Sequence, residues 1–239
     1  MTAEVDVIRW GTERARTSPW RGDGSVAYLT PMPDSPIPSA GFVRRCCDLL
    51  TARGYTRVVT SALSAAEQAG FREAGFEVGE ELHLLAHDLR TLPPVPGVPA
   101  RLRRAVAADR PVVLDIDEAA FPPFWQLGEA GLDDALRATP KARFRVAELP
   151  DTTLAGYAVT GRAGRRGFVQ RLAVRPDQRG QGMAQALVLD GLRWLRRWRV
   201  ERAVVNTQLD NAAALALYER LGFRREPTGL SVLTCGLSR

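Results

Sequence analysis

The stretch from Phe168 to Leu195, FVQRLAVRPDQRGQGMAQALVLDGLRWL, narrows the choice of fold more than any other part of the chain. A short apolar run (Phe168, Val169, Leu172, Ala173, Val174) stops at Pro176 and Asp177. A basic, glycine-bearing loop follows, and helical spacing begins at about Met183. Strand, small-residue loop and helix in that order place the unpartnered first amides of a helix beside a chain that a bulky group can approach closely. The partial positive charge of the helix start and the full charge of Arg179 favour an anion there, phosphate above all. The loop lacks the Gly-Lys-Ser/Thr ending of a nucleotide P-loop and does not spell the dinucleotide fingerprint GxGxxG. On this stretch alone, an ordinary strand-to-helix turn is the alternative reading.

A second stretch, Ala203 to Phe223 (AVVNTQLDNAAALALYERLGF), reads as a strand at Ala203–Val205 and a helix capped by Asp210 or Asn211. Tyr218 lies in its last turn and Gly222 marks its end. Together the two stretches resemble the GNAT superfamily of acyl-CoA-dependent N-acyltransferases. RGQGMA is similar to that family's pyrophosphate loop, LAVRP to the strand before it, and NAAALALYERLGF to its Asn, Tyr and Gly-Phe helix.

The resemblance implies an α/β (α+β) fold: a mixed, mostly antiparallel sheet with flanking helices. It also implies acetyl-CoA as cosubstrate, no metal, and an amine acceptor that is a small molecule or a peptide terminus. By the same resemblance the backbone of Leu172, Ala173 and Val174 would pair with the pantetheine arm. The amides of Arg179, Gly180, Gln181, Gly182, Met183 and Ala184 would hold the pyrophosphate, and Asn211 would contact the arm. Tyr218, a phenol still protonated at neutral pH, would give a proton to the departing thiolate. No general base is visible: Gln170 and Arg171 are the inward residues where many relatives place a carboxylate, which leaves Glu148 or a water chain. The implied reaction is acetyl transfer to a primary amine by direct attack. A protein N-terminal acetyltransferase of the ribosomal-protein type and a non-catalytic acyl-CoA-binding regulatory module are the alternatives.

At 239 residues with 45% hydrophobic content the chain can bury a substantial core. Arg and Lys outnumber Asp and Glu by 33 to 27, and Lys141 is the only lysine. A basic balance suits an acidic ligand, but arginines scattered without one concentrated block point away from nucleic acid. Three cysteines, two of them adjacent, are no disulfide scaffold. No run approaches the roughly 20 apolar residues of a membrane span, and Glu4 and Asp6 do not suit a signal peptide. A cytoplasmic setting without a membrane partner is the expectation.

The N-terminal part echoes the C-terminal one. Residues 1–25 show little periodicity, whereas Ser25–Thr30 reads as a strand, Gly41–Arg53 as a helix and Arg57–Leu63 as another strand. Laid over Asn211–Phe223, the segment Ser64–Phe76 matches at Ala65, Ala66, Ala69, Gly75 and Phe76, with Phe71 falling on Tyr218. This predicts a smaller, degenerate GNAT-like domain over residues 1–92. A proline-rich linker at 93–100 and a catalytic domain at 101–239 would follow. The degenerate copy has proline-rich MPDSPIPSAG in place of the phosphate loop and should not catalyse.

His83 and His87 fall on one face of a strand at Glu81–Leu89 and lack further metal ligands nearby. A helix is expected at Asp109–Phe121 with Asp115, Asp117 and Glu118 solvated. Phe121, Phe124 and Trp125 are core or acceptor contacts. Met183, Ala186, Leu187, Leu195 and Trp198 should form the buried stripe of the helix after the loop, and Arg193, Arg196, Arg197 and Arg199 gather at its end. Strands are expected at Phe144–Leu149, Thr153–Thr160 and Leu230–Leu237, with Arg224–Gly229 a loop able to cover the acceptor.

Overall fold

The computed structural model describes residues 6–32 and 34–237. Glu4 and Pro33 lie outside the described residues. The chain divides into two compact units. One runs to Leu84 and takes in Asn206–Asp210 and the chain from Glu226 on; the other comprises Leu85–Val205 and Asn211–Arg225.

In the first unit the stretch without clear periodicity forms β1 (Asp6–Trp10) and β2 (Glu13–Trp20), followed by β3 (Asp23–Pro31). Sequence patterning misses β1 and β2 because few of their inward side chains are large and apolar: in β2 they are Ala15 and Thr17. Then come α1 (Ala40–Ala52), β4 (Arg57–Thr60), α2 (Ala65–Glu73) and β5 (Glu77–His87). β1, β2 and β3 are antiparallel neighbours, and β3 pairs in parallel with β4 through the α1 crossover. Phe42, Val43, Cys46 and Leu50 of α1 are buried against Leu29, Val58 and Phe71. Burial of each large side chain stabilises the unit by about 1.5–3 kcal/mol.

The second unit begins with the end of β5 and continues with β6 (Arg101–Arg104), α3 (Arg110–Ala120) and α4 (Glu129–Arg137). Next are β7 (Lys141–Glu148), β8 (Leu154–Ala163) and β9 (Arg166–Val174). They are followed by α5 (Met183–Arg197), β10 (Arg202–Gln208), α6 (Ala212–Arg220) and the two-residue β11 (Arg224–Arg225). β6, β7, β8 and β9 are antiparallel in order, and β9 pairs in parallel with β10. Strand β8 is buried on both faces from Leu154 to Gly161, with α3 and α5 packed against it. The last strand, β12 (Leu230–Gly236), pairs antiparallel with β4 and with the start of β5, which makes it part of the first unit.

This partition differs from the expected division at residues 93–100. Leu92 and Val95 of the proline-rich segment pack against the core of the second unit instead of spanning solvent. The segment Arg224–Gly229 is likewise no free loop, since Arg224 and Arg225 pair with Ala86 and Leu85. Trp198 is 55% exposed and leaves the apolar stripe of α5, whereas Met183, Ala186, Leu187 and Leu195 are buried as expected.

The internal repeat holds in three dimensions. The succession β1-β2-β3-α1-β4-α2 matches β7-β8-β9-α5-β10-α6 in pairing direction and connection. Helices α2 and α6 end alike: Gly75 and Gly222 take φ of +92° and +93°, where a side chain would be strained. Phe76 and Phe223 N–H each donate over 3.0 Å to the carbonyls of Phe71 and Tyr218. The rings follow, with Phe71–Phe76 centroids 5.2 Å apart and Tyr218–Phe223 centroids 5.6 Å apart.

Candidate active site

Every part of the strand–loop–helix stretch takes the expected form. β9 ends at Val174, a single 3₁₀ turn covers Pro176–Gln178, and α5 starts after Gly182. Gly180 and Gly182 both have φ of +79°, conformations that an L side chain resists. Gly182 is the N-cap of α5 and offers no side-chain oxygen to the first helical amides, the kind of helix end that an anion can satisfy. Arg179 beside them is exposed.

The corresponding helix start in the first unit is filled from within. There Ser39 caps α1 by accepting from Phe42 N–H, and Glu13 accepts from Ser39 N–H at 2.5 Å and from Ser39 Oγ at 2.9 Å. A carboxylate of the chain itself therefore binds at the start of α1, whereas the α5 N-cap is a glycine with no side-chain cap.

β9 offers a second feature. β10 pairs with it only from Arg166 to Phe168. Among the described residues no strand continues that ladder along Val169–Val174. An extended ligand could add there by backbone hydrogen bonds, as an added strand does. On the other edge a bulge sets Arg171 opposite Val159 and Val169 opposite Thr160, leaving Gln170 as the extra residue. The open edge runs straight toward the α5 loop. Val174 and Met183 share one buried cluster, with Ala184 and Leu172 packed against it.

Tyr218 projects from the last turn of α6 into the cluster that holds Val169, with Leu172 packed against that same cluster. The residue is 5% exposed, and its hydroxyl makes no hydrogen bond to another described residue. Burial pushes the phenol well above its ordinary pKa, and the nearby positive charge of Arg171 opposes that rise. A phenol in this state keeps its proton at neutral pH. Asn211 caps α6, its side-chain oxygen accepting from Ala214 N–H at 3.0 Å, which leaves its amide nitrogen for other partners.

The acidic face expected to be solvated on α3 is not uniformly so. Asp115 and Glu118 are exposed, but Asp117 has no exposed surface. Its carboxylate accepts from Arg171 Nε and Nη2, each at 2.7 Å, from Tyr157 Oη at 2.5 Å and from Leu127 N–H at 2.7 Å. Arg171 also donates to the Trp125 carbonyl, and its guanidinium lies 3.5 Å from the centre of the Phe121 ring. Phe121 and Trp125 thus wall Arg171, while Phe124 is 38% exposed. Helical spacing held the signal: Val113, Ile116 and Asp117 lie at i, i+3 and i+4 on the inward face.

Arg171 is therefore committed to Asp117, and neither residue is placed to take a proton from an incoming amine. Glu148 lines a cleft of about 440 Å³ between Val98–Arg101 and the β7–β8 turn, but it accepts from Arg103 Nε at 2.7 Å. Gln170 Oε1 is buried without a partner among the described residues. His87 is buried, its ring held by Leu221 and Leu89, which is a structural role. No group of three or more His, Cys, Asp or Glu among the described residues could hold a metal ion. None of the helices described is long and apolar enough to cross a membrane.

A helix start without a side-chain cap, an open strand edge leading to it and a buried phenol beside that strand occur together in one unit. The profile of the Acetyltransferase (GNAT) family matches residues 111–223. The mycothiol acetyltransferase of Rhodococcus opacus is 30% identical over 207 residues, covering 79% of this chain and 68% of that protein. The chain belongs to the GNAT acetyltransferase family. The mycothiol acetyltransferase of Streptomyces coelicolor is 38% identical over 129 residues, 51% of this chain, and the match spans about two fifths (41%) of that relative. A tandem GNAT protein from the clavulanic acid biosynthesis pathway covers 100% of the chain, and the chain covers 84% of it, at TM-score 0.70 and 16% identity. The fold is that of a tandem GNAT protein.

Proposed function

We propose that the chain is an N-acetyltransferase that passes the acetyl group of acetyl-CoA to the primary amine of an acceptor, with the chemistry in residues 101–239. The reading rests above all on the α5 loop, where two glycines at φ +79° and an uncapped helix start meet an unpaired strand edge. Amides from Arg179 to Ala184 would hold the diphosphate, and the backbone of Leu172, Ala173 and Val174 would align the pantetheine arm. Asn211 would touch that arm. The thioester supplies an activated acetyl carbon with a thiol leaving group. Val174 N–H would donate to the carbonyl oxygen as it gains charge, and Tyr218 Oη would donate the proton that the leaving sulfur needs.

The names of the matched relatives make a mycothiol-related amine the first acceptor to try, with peptide N-termini beside it. Calorimetry with acetyl-CoA, followed by thiol release across that amine panel, tests the reading. Absence of any acetyl-CoA binding at millimolar concentration would refute it. A second reading, a regulatory module that binds acyl-CoA without turnover, is favoured by one observation: Arg171 and Glu148 are both engaged in ion pairs. Tight coenzyme binding with no thiol release from any amine would select it.

A further inference from the structure

Arginines scattered along the sequence converge at the end of the second unit away from the α5 loop. The β8–β9 turn carries Arg165 and Arg166, the end of α5 carries Arg196, Arg197 and Arg199, and Arg193 lies one turn back on the same helix. Contacts join the two elements. The Arg162 guanidinium sits 4.4 Å from the centre of the Trp198 ring, and Glu201 N–H, just after α5, donates to the Arg165 carbonyl at 2.9 Å. Glu201 also forms an ion pair with Arg165. These seven arginines and Glu201 together carry an excess equal to the whole chain's formal +6. Residues 193–199 alone hold four of these arginines, and folding brings Arg162, Arg165 and Arg166 from a distant segment beside them.

Trp198 gives the patch its chemical character. Tryptophan is seldom left exposed on a surface, yet this one is 55% exposed, with the Arg162 guanidinium against its ring. Guanidinium groups bind phosphate in a forked geometry, and an exposed indole is a platform on which a base can stack. An acidic peptide would satisfy the charges and leave the indole unused. We propose that this face binds single-stranded nucleic acid, with arginines on successive phosphates and a base stacked on Trp198.

The test uses the full chain and a fluorescein-labelled 12-nucleotide single-stranded RNA, read by anisotropy between 50 and 200 mM NaCl. With about four phosphates engaged, affinity should fall about 50-fold over that range, and intrinsic tryptophan fluorescence should be quenched on binding in the native chain but not in Trp198→Ala. The Arg196→Glu, Arg197→Glu, Arg199→Glu triple variant should lose binding at least about tenfold. Trp198→Ala should weaken it about tenfold while leaving the salt slope unchanged, a signature of stacking that charge alone does not give. Calorimetric binding of acetyl-CoA and the melting temperature, followed in parallel, establish that the variants are folded; should the triple variant fail to fold, Trp198→Ala carries the test. No binding at 50 mM NaCl overturns the proposal. So does an unchanged affinity in Trp198→Ala, or equal competition by polyglutamate at matched charge, either of which reduces the face to a general polyanion surface.

Discussion

Arg171 on β9 and Asp117 on α3 form a two-point ion pair, each nitrogen–oxygen distance 2.7 Å, with the carboxylate wholly buried and the guanidinium side chain 11% exposed. The pair ties the helix that follows the first strand of the second unit to the strand proposed to align the coenzyme arm. Asp117→Ala leaves a buried cation, the Tyr157 hydroxyl and the Leu127 amide without their acceptor. It should destabilise the protein by about 3–5 kcal/mol in urea unfolding. Replacing both partners with apolar residues should recover most of that loss.

Tyr218→Phe keeps the ring in its apolar cluster and deletes only the hydroxyl, so the melting temperature should stay nearly constant. Turnover should fall about 10²-fold or more, the usual range for losing a proton donor, with acetyl-CoA affinity unchanged by calorimetry. Unchanged turnover would remove Tyr218 from the mechanism.

Gly182→Ala has one intrinsic cost, the φ of +79° that disfavours any side chain, and its new methyl would come into contact at 3.4 Å with both Pro96 and Val98. Gly180 has the same φ but open space around it. Both alanine variants should weaken acetyl-CoA binding, Gly182→Ala more, and each should cost about 1 kcal/mol of stability. Equal effects at the two positions would show that the proline-rich segment yields freely.

His87 links pH to stability. Its Nε2–H donates to the Leu221 carbonyl at 3.0 Å while Nδ1 accepts from Leu89 N–H at 2.8 Å, so both ring nitrogens are used by the neutral form. Burial, the dominant cause, holds its pKa below the usual 6.5, only partly opposed by the Leu221 carbonyl and Asp88. The unfolded chain therefore takes up the proton first. Stability present above about pH 6.5 should decline as pH falls through that value toward the folded pKa. Denaturant midpoints between pH 5 and 8 should show this slope, and His87→Gln should flatten it.

Leu233 of β12 is fully buried in the core of the first unit, and its N–H donates to Thr60 Oγ1 at 2.9 Å. Leu233→Ala should cost about 2–5 kcal/mol. Hydrogen exchange of the Val58 and Val59 amides on β4 should speed up, although these residues lie far away in sequence.

The strand–loop–helix stretch, α6 with its Asn211 cap and the matching helix at Ser64–Phe76 were legible because local rules specify them: helical spacing, capping residues and glycines past helix ends. β1 and β2 were not, since Ala15 and Thr17 become core residues only once β3 and α1 cover them. Asp117 misled in the same way. An aspartate among Asp115 and Glu118 reads as solvent-facing, and nothing nearby in sequence announces Arg171 and Tyr157 as its partners.

Taken alone, the order of residues determined the secondary structure around the glycine loop before α5, the tandem echo and the family, because those features depend on neighbours a few positions apart. Tertiary structure decided what depends on distant pairings. It bonded the last strand to the first unit, buried Asp117 against Arg171 and used up the nearest candidate bases. It also brought the arginines of the β8–β9 turn beside those at the end of α5. Charge and hydrogen-bond partners are properties of proximity in space, and only folding sets that proximity.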